Sequence, residues 1–466
     1  MSVIFSHQPN PKVTFLGAAG TVTGSMHLLQ YKDFNILLDC GLERDKKTVL
    51  KDDEFPFDPE VIDAVILSHN HSDHCGKLPA LARKGFRGQV YCTPASKDLL
   101  GVVLKDSVNI QEKEAKLRNK TKNRTAPSQN DTFSILDRCV PLDYGKTLEI
   151  RNGISLRFHD AGHLLGSAIS EISIGKGDKV FKITYTGDLG RFGLPFHTNP
   201  SLVPAADLLI CESTYGGKYH DNEEKMAAKL DIVMRDTIKR GGKILMPAFS
   251  LGRTQMLLYY LETWMLQNKI PRLPIFLDSP LAVEISRVYK RYNKHLSVNW
   301  NSESENVMIL DSWEEAQNAS FHPKPAIIVA SGGMCEGGKI LSHLKNHLDD
   351  PRTSIALVSF QAPSTLGSKL LEKKPSVYFH GKSWNKWAEI HEIKGFSGHA
   401  DQTDFNKLLS PIAKTSGHVR LVHGEPESAK ALASELTKLG FKDVKPVRRG
   451  ESVSYTHLTL PTKRIV

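Results

Sequence analysis

The sequence predicts an α/β protein, and three observations carry that reading. Short apolar runs bounded by turn residues recur along the chain, stretches of helical periodicity lie between them, and ionisable residues fall repeatedly just past the end of an apolar run. With 466 residues, 40% of them hydrophobic and 24% charged, the chain is long enough for more than one core. The balance argues against wholesale disorder or a fibrous repeat.

In order, the expected strands are KVTFLG (12–17), FNILLD (34–39), DAVILS (63–68), ISLRFH (154–159), FKITYTG (181–187), DLLICES (207–213), KILMP (243–247), IFLDS (275–279), AIIVAS (326–331), IALVSF (355–360) and VRLVHG (419–424). Helices are expected at 99–118, 253–267 and 427–439, where apolar residues return every three or four positions. No repeat of 20 to 50 residues stands out. No stretch approaches the ~18 apolar residues of a membrane span, and the first residues lack the pattern of a secretory leader. Cys40, Cys75, Cys92, Cys139, Cys211 and Cys335 are spread singly, which suits reduced thiols and a cytoplasmic location.

The net charge is +10, a modest excess that favours a polyanionic partner through phosphate attraction. Its densest basic run lies between Glu112 and Asp131, which reads as a solvated helix end passing into a polar loop.

The ends of the apolar runs are more informative. FNILLD closes on Asp39, VILS runs into His69, the 154–159 strand is followed by His163, and ITYTG is followed by Asp188. LLIC runs into Glu212 and RLV into His423. Ligands of α/β sheets collect outside the carboxyl ends of strands, so six such ends suggest one shared site. The strongest single signal is SHNHSDHCG, which sets His69, His71, Asp73 and His74 within six positions. Chance gives an HxHxDH pattern in only on the order of one chain per thousand of this composition. When a tight loop turns into a helix, such residues can aim imidazole nitrogens and a carboxylate at two adjacent points, a donor set suited to borderline-soft cations. The plain alternative is a polar surface loop with scattered histidines.

SHNHSDH, AGHLLGS around His163 and TGDLG around Asp188 resemble the metallo-β-lactamase superfamily. Downstream, ESTYGG, PAFSLGRTQ, DSPLA, ASGGM, FSGHAD and LVHGE resemble its β-CASP branch, whose members are nucleases. The resemblance runs from about Lys12 to about Arg449. It implies a four-layer αββα metallo-β-lactamase fold with an inserted α/β β-CASP domain. The expected division is 1–210 for the first part of the metallo-β-lactamase domain, 211–394 for the insert and 395–450 for the return to the first domain. Residues 451–466 then form a tail, read as non-native by its departure from the usual ending; from Ser454 onward it carries no pattern that would dock it.

By the same resemblance, His69, His71 and His163 hold one zinc, and Asp73, His74 and His423 hold the other, with Asp188 bridging. Manganese is the expected substitute. Asp39 supports the metal loop without binding metal. Glu212 and His399 match a dyad whose histidine protonates the departing oxygen. Two glycine-containing strand ends of the insert, ASGGM and SFQAPSTLG, suit phosphate binding through backbone N–H groups and hydroxyls, which makes Ser331, Gly332, Gly333, Ser359 and Gln361 the expected backbone contacts, while Ser368 and Lys369 stand where many relatives carry Arg.

The implied activity is hydrolysis of RNA phosphodiesters by a metal-activated hydroxide, most like that of the short bacterial endonucleases acting on single strands. Hydrolysis of a small ester or thioester, or a non-catalytic RNA-binding role, are the alternatives. The expected partner is RNA, without a membrane; several branches of the family form homodimers, and no local sequence signature speaks for one here.

Overall fold

The computed structural model describes residues 8–43, 53–118, 126–177, 180–300, 306–362 and 365–455. They fall into two compact units, one made of 1–194, 198–219 and 399–466, the other of 195–197 and 220–398. Residues 211–219 group with the first unit because Leu208–Glu212 is an unbroken strand of its sheet.

The first unit holds two seven-stranded sheets. One runs Ser452–Ser454, Gln8–Phe15, His27–Lys32, Phe34–Leu38, Ala64–Ile66, Gln89–Cys92 and Cys139–Pro141 from edge to edge. The other runs Asp443–Pro446, His418–Val422, Leu208–Glu212, Phe181–Tyr185, Ala168–Ile174, Ile154–Asp160 and Thr147–Arg151. Alternate residues of facing strands share one core: Phe15, Leu29, Ile36, Leu38 and Ile66 from the first sheet meet Leu156, Phe158, Ile172, Ile183 and Ile210 from the second. The period of two then sends Leu28, Leu37, Val65 and Val90 to the opposite face, where they are buried as well. Helices Leu78–Arg83, Pro94–Arg118 and Gln129–Asp137 bring buried leucines and an isoleucine to that side of the unit, among them Leu81, Leu99, Leu104 and Ile135. Behind the second sheet, Leu209, Cys211 and Leu421 pack against Phe405 and Leu408 of Gln402–Leu409 and Leu432 and Leu436 of Pro426–Leu439. Two sheets face to face with helices outside give the αββα layering.

Local chemistry explains the element ends. Pro426 opens its helix at a position where a missing N–H costs nothing, and Gly440 closes it at φ 107°. Asp401 accepts from the backbone N–H groups of Thr403 and Asp404 at the start of Gln402–Leu409. Strand Leu208–Glu212 is buried along its whole length between two parallel neighbours, so it runs apolar without alternation through LLIC until Glu212 at its end.

The second unit is built on a parallel sheet, ordered Val307–Ile309, Ile275–Asp278, Ala326–Ser331, Lys243–Ala248, Ser354–Leu357 and Glu389–Glu392. Its core includes Leu245, Ile328, Ile340, Leu344, Ile355 and Leu357. A separate antiparallel pair joins Ser376–Phe379 to Lys382–Asn385. No helix among the described residues is long and apolar enough to cross a membrane.

The expected strands all occur, with ends shifted by a few residues; KVTFLG, for example, lies in a strand spanning Gln8–Phe15. The periodic segment at 99–118 is the later part of helix Pro94–Arg118. Within the basic run, residues 119–125 lie outside the described residues.

The tail reading needs correction. Ser452–Ser454 pairs antiparallel with Lys12–Thr14, covering an otherwise open sheet edge. Tyr455 stacks on His418 at 4.5 Å and on Phe181 at 5.5 Å between ring centroids. Burial pushes its phenol up to about 12. Beyond Val453 the docking is carried by one aromatic residue and the last of three strand rungs, too short for a periodicity argument to register. Residues 456–466 lie outside the described residues. Truncation after Val453 removes Ser454 and Tyr455 and is expected to lower the melting temperature by about 2–6 °C; calorimetry showing no shift would restore the undocked tail.

Candidate metal centre

Strands Phe34–Leu38 and Ala64–Ile66 run parallel, as do Phe181–Tyr185, Leu208–Glu212 and His418–Val422. Their carboxyl ends deliver Asp39, His69, Asp188, Glu212 and His423 to one edge of the first unit. Ile154–Asp160 shares that direction through two antiparallel pairings, which brings in His163.

The HxHxDH loop is held by its own backbone. After Ala64–Ile66 the chain passes His69 and His71 and enters the short helix Ser72–Cys75, which carries Asp73 and His74. The carbonyl of Asp73 accepts from Ser25 N–H at 2.7 Å, that of His74 from Cys40 N–H at 2.8 Å and that of Ser72 from Leu42 N–H at 2.8 Å. Gly41 lies so close that a Cβ there would meet the Asp73 carbonyl oxygen at 1.6 Å, so only glycine allows this approach. Asp39 (φ 61°) and His423 (φ 47°) both hold the left-handed backbone that non-glycine residues rarely adopt, strain of the kind that collects at functional sites.

The donor atoms form three groups, each within 4.8 Å: His69, His71, His163 and Asp188; Asp73, His74 and His423; and Asp188, Glu212 and His399. In the first, His71 Nδ1 faces His69 Nε2 at 3.1 Å and His163 Nε2 at 3.4 Å. In the second, His423 Nε2 faces His74 Nε2 at 3.2 Å and Asp73 Oδ2 at 3.4 Å. Asp188 stands between them. Its Oδ2 lies 3.4 Å from His69 Nε2 and 3.7 Å from His163 Nε2, while its Oδ1 lies 3.4 Å from both His74 Nε2 and His423 Nδ1.

Hydrogen bonds on the far side of the rings set their tautomers. His74 Nδ1 donates to Asp39 Oδ2 at 2.6 Å. Ser68 Oγ donates to the same oxygen at 2.6 Å and accepts from His69 Nδ1 at 3.0 Å. Thr214 Oγ1 donates to the His423 carbonyl at 2.9 Å and accepts from His423 Nδ1 at 3.0 Å. The Nε2 atoms of His69 and His74 are thereby turned into the site, while His423 presents Nε2 to His74 and Nδ1 to Asp188.

Burial pushes His69 well below its ordinary value and His71 down to about 4, which keeps both imidazoles neutral. Burial opposes charge at His74 too, but Asp188 and Asp39 outweigh it and hold that ring well above its usual value. Burial works against ionisation of Asp188 as well; His423, His74 and His69 overcome it, so the carboxyl lies well below the usual range.

These residues fit divalent metal. His71 Nδ1 lies 3.1 Å from His69 Nε2 and 3.4 Å from His163 Nε2, and His74 Nε2 lies 3.2 Å from His423 Nε2, a crowding of imidazole nitrogens that a cation between them relieves. Asp188 Oδ1 is buried and accepts no hydrogen bond, which leaves its lone pairs to a metal rather than to a donor.

Glu212 and His399 meet beside this set. Glu212 is fully buried; its Oε1 accepts from Leu189 N–H at 2.6 Å and from His399 Nδ1 at 3.2 Å, and its Oε2 accepts from Thr214 N–H at 3.2 Å. Tyr215 stacks on the His399 ring at 6.2 Å. Burial alone would lower His399; Glu212 and Asp188 raise it above its ordinary value.

The five residues expected to meet phosphate lie in the second unit. Gln361 Nε2 donates to the carbonyls of Gly333 and Ser359, each at 2.8 Å. Ser331 Oγ accepts from Lys339 N–H, and Gly332 takes φ 110° where a Cβ would strike the Gly337 carbonyl. Ser359 Oγ is buried with no hydrogen-bond partner.

Sequence reasoning missed Ser68, Tyr185, Thr214 and Tyr215. Ser68 stood inside the quoted motif, and a hydroxyl next to a ligating histidine is a signal that could have been used. Tyr185 donates its hydroxyl to Asp39 Oδ2 at 2.6 Å across 146 positions of sequence, and nothing local marks it.

Facing sheets with a buried imidazole and carboxylate cluster at their strand ends define a metal-dependent hydrolase of the metallo-β-lactamase class. The comparisons agree. Residues 28–188 match the metallo-beta-lactamase superfamily domain, 254–370 the Beta-Casp domain and 387–446 the Zn-dependent metallo-hydrolase RNA specificity domain. Ribonuclease TTHA0252 of Thermus thermophilus is 35% identical over 451 residues, covering 95% of this chain and 99% of that one. The transcription termination factor FttA of Methanococcus maripaludis is 33% identical, over 95% of this chain and 71% of that one. A crystal structure of a protein of unknown function from Enterococcus faecalis V583 shares the fold with a TM-score of 0.54 at 16% identity, covering 96% of this chain and 100% of that one. The chain belongs to the β-CASP family of the metallo-β-lactamase superfamily.

Asp39→Ala removes no facing donor but strips three side chains of their acceptor. Metal affinity is expected to fall about 10- to 100-fold, read by competition with a chelator of known affinity; an unchanged affinity would separate Asp39 from the metal loop.

Proposed function

We propose that this chain is a dinuclear zinc ribonuclease that cuts single-stranded RNA internally. The observation that carries the reading is the meeting, in one buried site, of two donor sets shared by Asp188 with the Glu212–His399 pair. The 35% identity to a ribonuclease over nearly the whole chain supports RNA as substrate. His69, His71 and His163 would hold one ion and Asp73, His74 and His423 the other, with manganese as the substitute. Two divalent cations held there neutralise phosphate charge and make water acidic enough to ionise near neutral pH.

The chain's own groups do the rest. As the water oxygen bonds to phosphorus and the P–O3′ bond breaks, the departing oxygen needs a proton. His399 supplies it from Nε2, because Nδ1 is engaged by Glu212, whose carboxylate also favours the protonated ring. The products are a 5′-phosphate and a 3′-hydroxyl. Glu212 itself is fixed by two backbone N–H groups, so it orients the ring and transfers no proton. Asp39 and Ser68 keep the ligating edges of His69 and His74 turned inward. In the second unit, the backbone of Ser331, Gly332 and Gly333 and the hydroxyl of Ser359 are the proposed phosphate contacts. Gln361, whose amide is spent on Gly333 and Ser359, positions them. A cytoplasmic setting fits the six cysteines, all buried and free. A homodimer is part of the proposal, and sedimentation at the mass of one chain would reject it.

Cleavage of single-stranded RNA and of a small thioester, each with and without chelator, separates the ribonuclease from an esterase and from an RNA-binding subunit without activity. Asp188→Ala should abolish RNA cleavage and leave RNA binding within a few-fold of wild type; wild-type turnover would reject the bridging role. His399→Ala should lower kcat by about 10²–10⁴-fold with metal content intact, and loss of metal would make His399 a ligand instead.

A further inference from the structure

The hairpin of Ser376–Phe379 and Lys382–Asn385 takes no part in the proposed chemistry. Its turn, His380-Gly381, has φ of 49° and 79°, the two positive values of a tight type I′ connection. One face is committed to the core, where Val377 and Phe379 are buried and Trp384, paired with Val377, packs partly. The other face carries Tyr378, paired with Ser383 and 66% exposed. By strand alternation Asn385 shares that face; beyond the strand's end stands Trp387, 59% exposed.

The setting of these rings is cationic. Residues 369–387 contain five lysines and a single acid, Glu372, and that carboxylate is paired with Lys374 at 2.7 Å. Lys386 is turned onto the carbonyls of Leu370 and Glu372. Lys382, paired with Phe379, sits on the inner face 3.5 Å from the centre of the Trp384 ring, while Lys373 is exposed. Large exposed rings cost solubility and have no role in the core. Set among uncompensated ammonium groups, they match a polymer with phosphates outside and flat unpaired bases, since stacking needs a free base face and the charges need a polyanion. A duplex offers the phosphates alone.

We propose that the outer face of this hairpin, with the segment that follows it, is a platform for single-stranded RNA, with Tyr378 and Trp387 stacking on bases and Lys373 meeting phosphate. The proposal rests on the RNA reading above and adds a binding surface apart from the metal ligands. It is tested on the full chain with an unstructured RNA of about 25 nucleotides, the same length of duplex RNA, and metal-dependent cleavage of the single strand.

In Y378A/W387A, affinity for the single strand should fall about tenfold for each ring removed, KM should rise, and kcat and duplex affinity should stay unchanged. Y378F/W387F should retain wild-type affinity, because the ring and not the hydroxyl or indole N–H is what stacks. K373Q should flatten the slope of log affinity against log salt by about 0.7. If wild type binds and cleaves RNA and Y378A/W387A does so equally well, the platform is rejected and the rings belong to a protein contact. Equal loss on duplex and single strand, or loss in Y378F/W387F, rejects stacking. A wild type that neither binds nor cleaves RNA overturns the ribonuclease reading, and the platform falls with it.

Discussion

One buried carboxylate organises the centre. Asp39 Oδ2 accepts from the Tyr185 hydroxyl, the Ser68 hydroxyl and His74 Nδ1, each at 2.6 Å, and Oδ1 accepts from Ser68 N–H at 2.7 Å. Tyr185 belongs to one sheet, Asp39 follows a strand of the other, and Ser68 and His74 belong to the metal loop. A buried charge of this kind is tolerated only when its lone pairs are filled. Any shift of one sheet against the other would break bonds at a site that water cannot reach, so the network locks the ring edges that a metal must find already in place.

The remaining geometry follows from strand direction. Parallel strands end on the same side, and the residues just past those ends fall within a few ångströms although up to 350 positions separate them, as in His423 and Asp73. Gly187, at φ 52° just before Asp188, allows Ser68 to pack where a Cβ would stand 2.5 Å from that of Ser68. Sheet packing, loop closure and ligand placement thus depend on one another, and the strain at Asp39 and His423 is borne by that shared structure.

Much of this was legible in the sequence because the signals are local. The HxHxDH loop announces itself within six residues, and His163, Asp188, Glu212 and His423 each follow an apolar run closely enough to be placed at a strand end. Pro426 and Gly440 mark their helix in the same local way. What stayed hidden depends on partners distant in sequence. Tyr185 reads as an ordinary strand aromatic until Asp39 is opposite it, and Thr214 as a turn residue until His423 arrives. Strand Ala168–Ile174 (AISEISI) is only partly apolar, and its place in the sheet comes from its two antiparallel neighbours. Tyr455 docks through rings of His418 and Phe181 that no pattern in the tail foretells.

The account stands on the claim that the converging donors are a metal site with two places, bridged by Asp188. Elemental analysis of the full chain, purified without chelator and dialysed against metal-free buffer, tests it most directly. Two equivalents of divalent metal per chain are expected, zinc foremost. A chain that holds none and still cleaves single-stranded RNA at its full rate would contradict it.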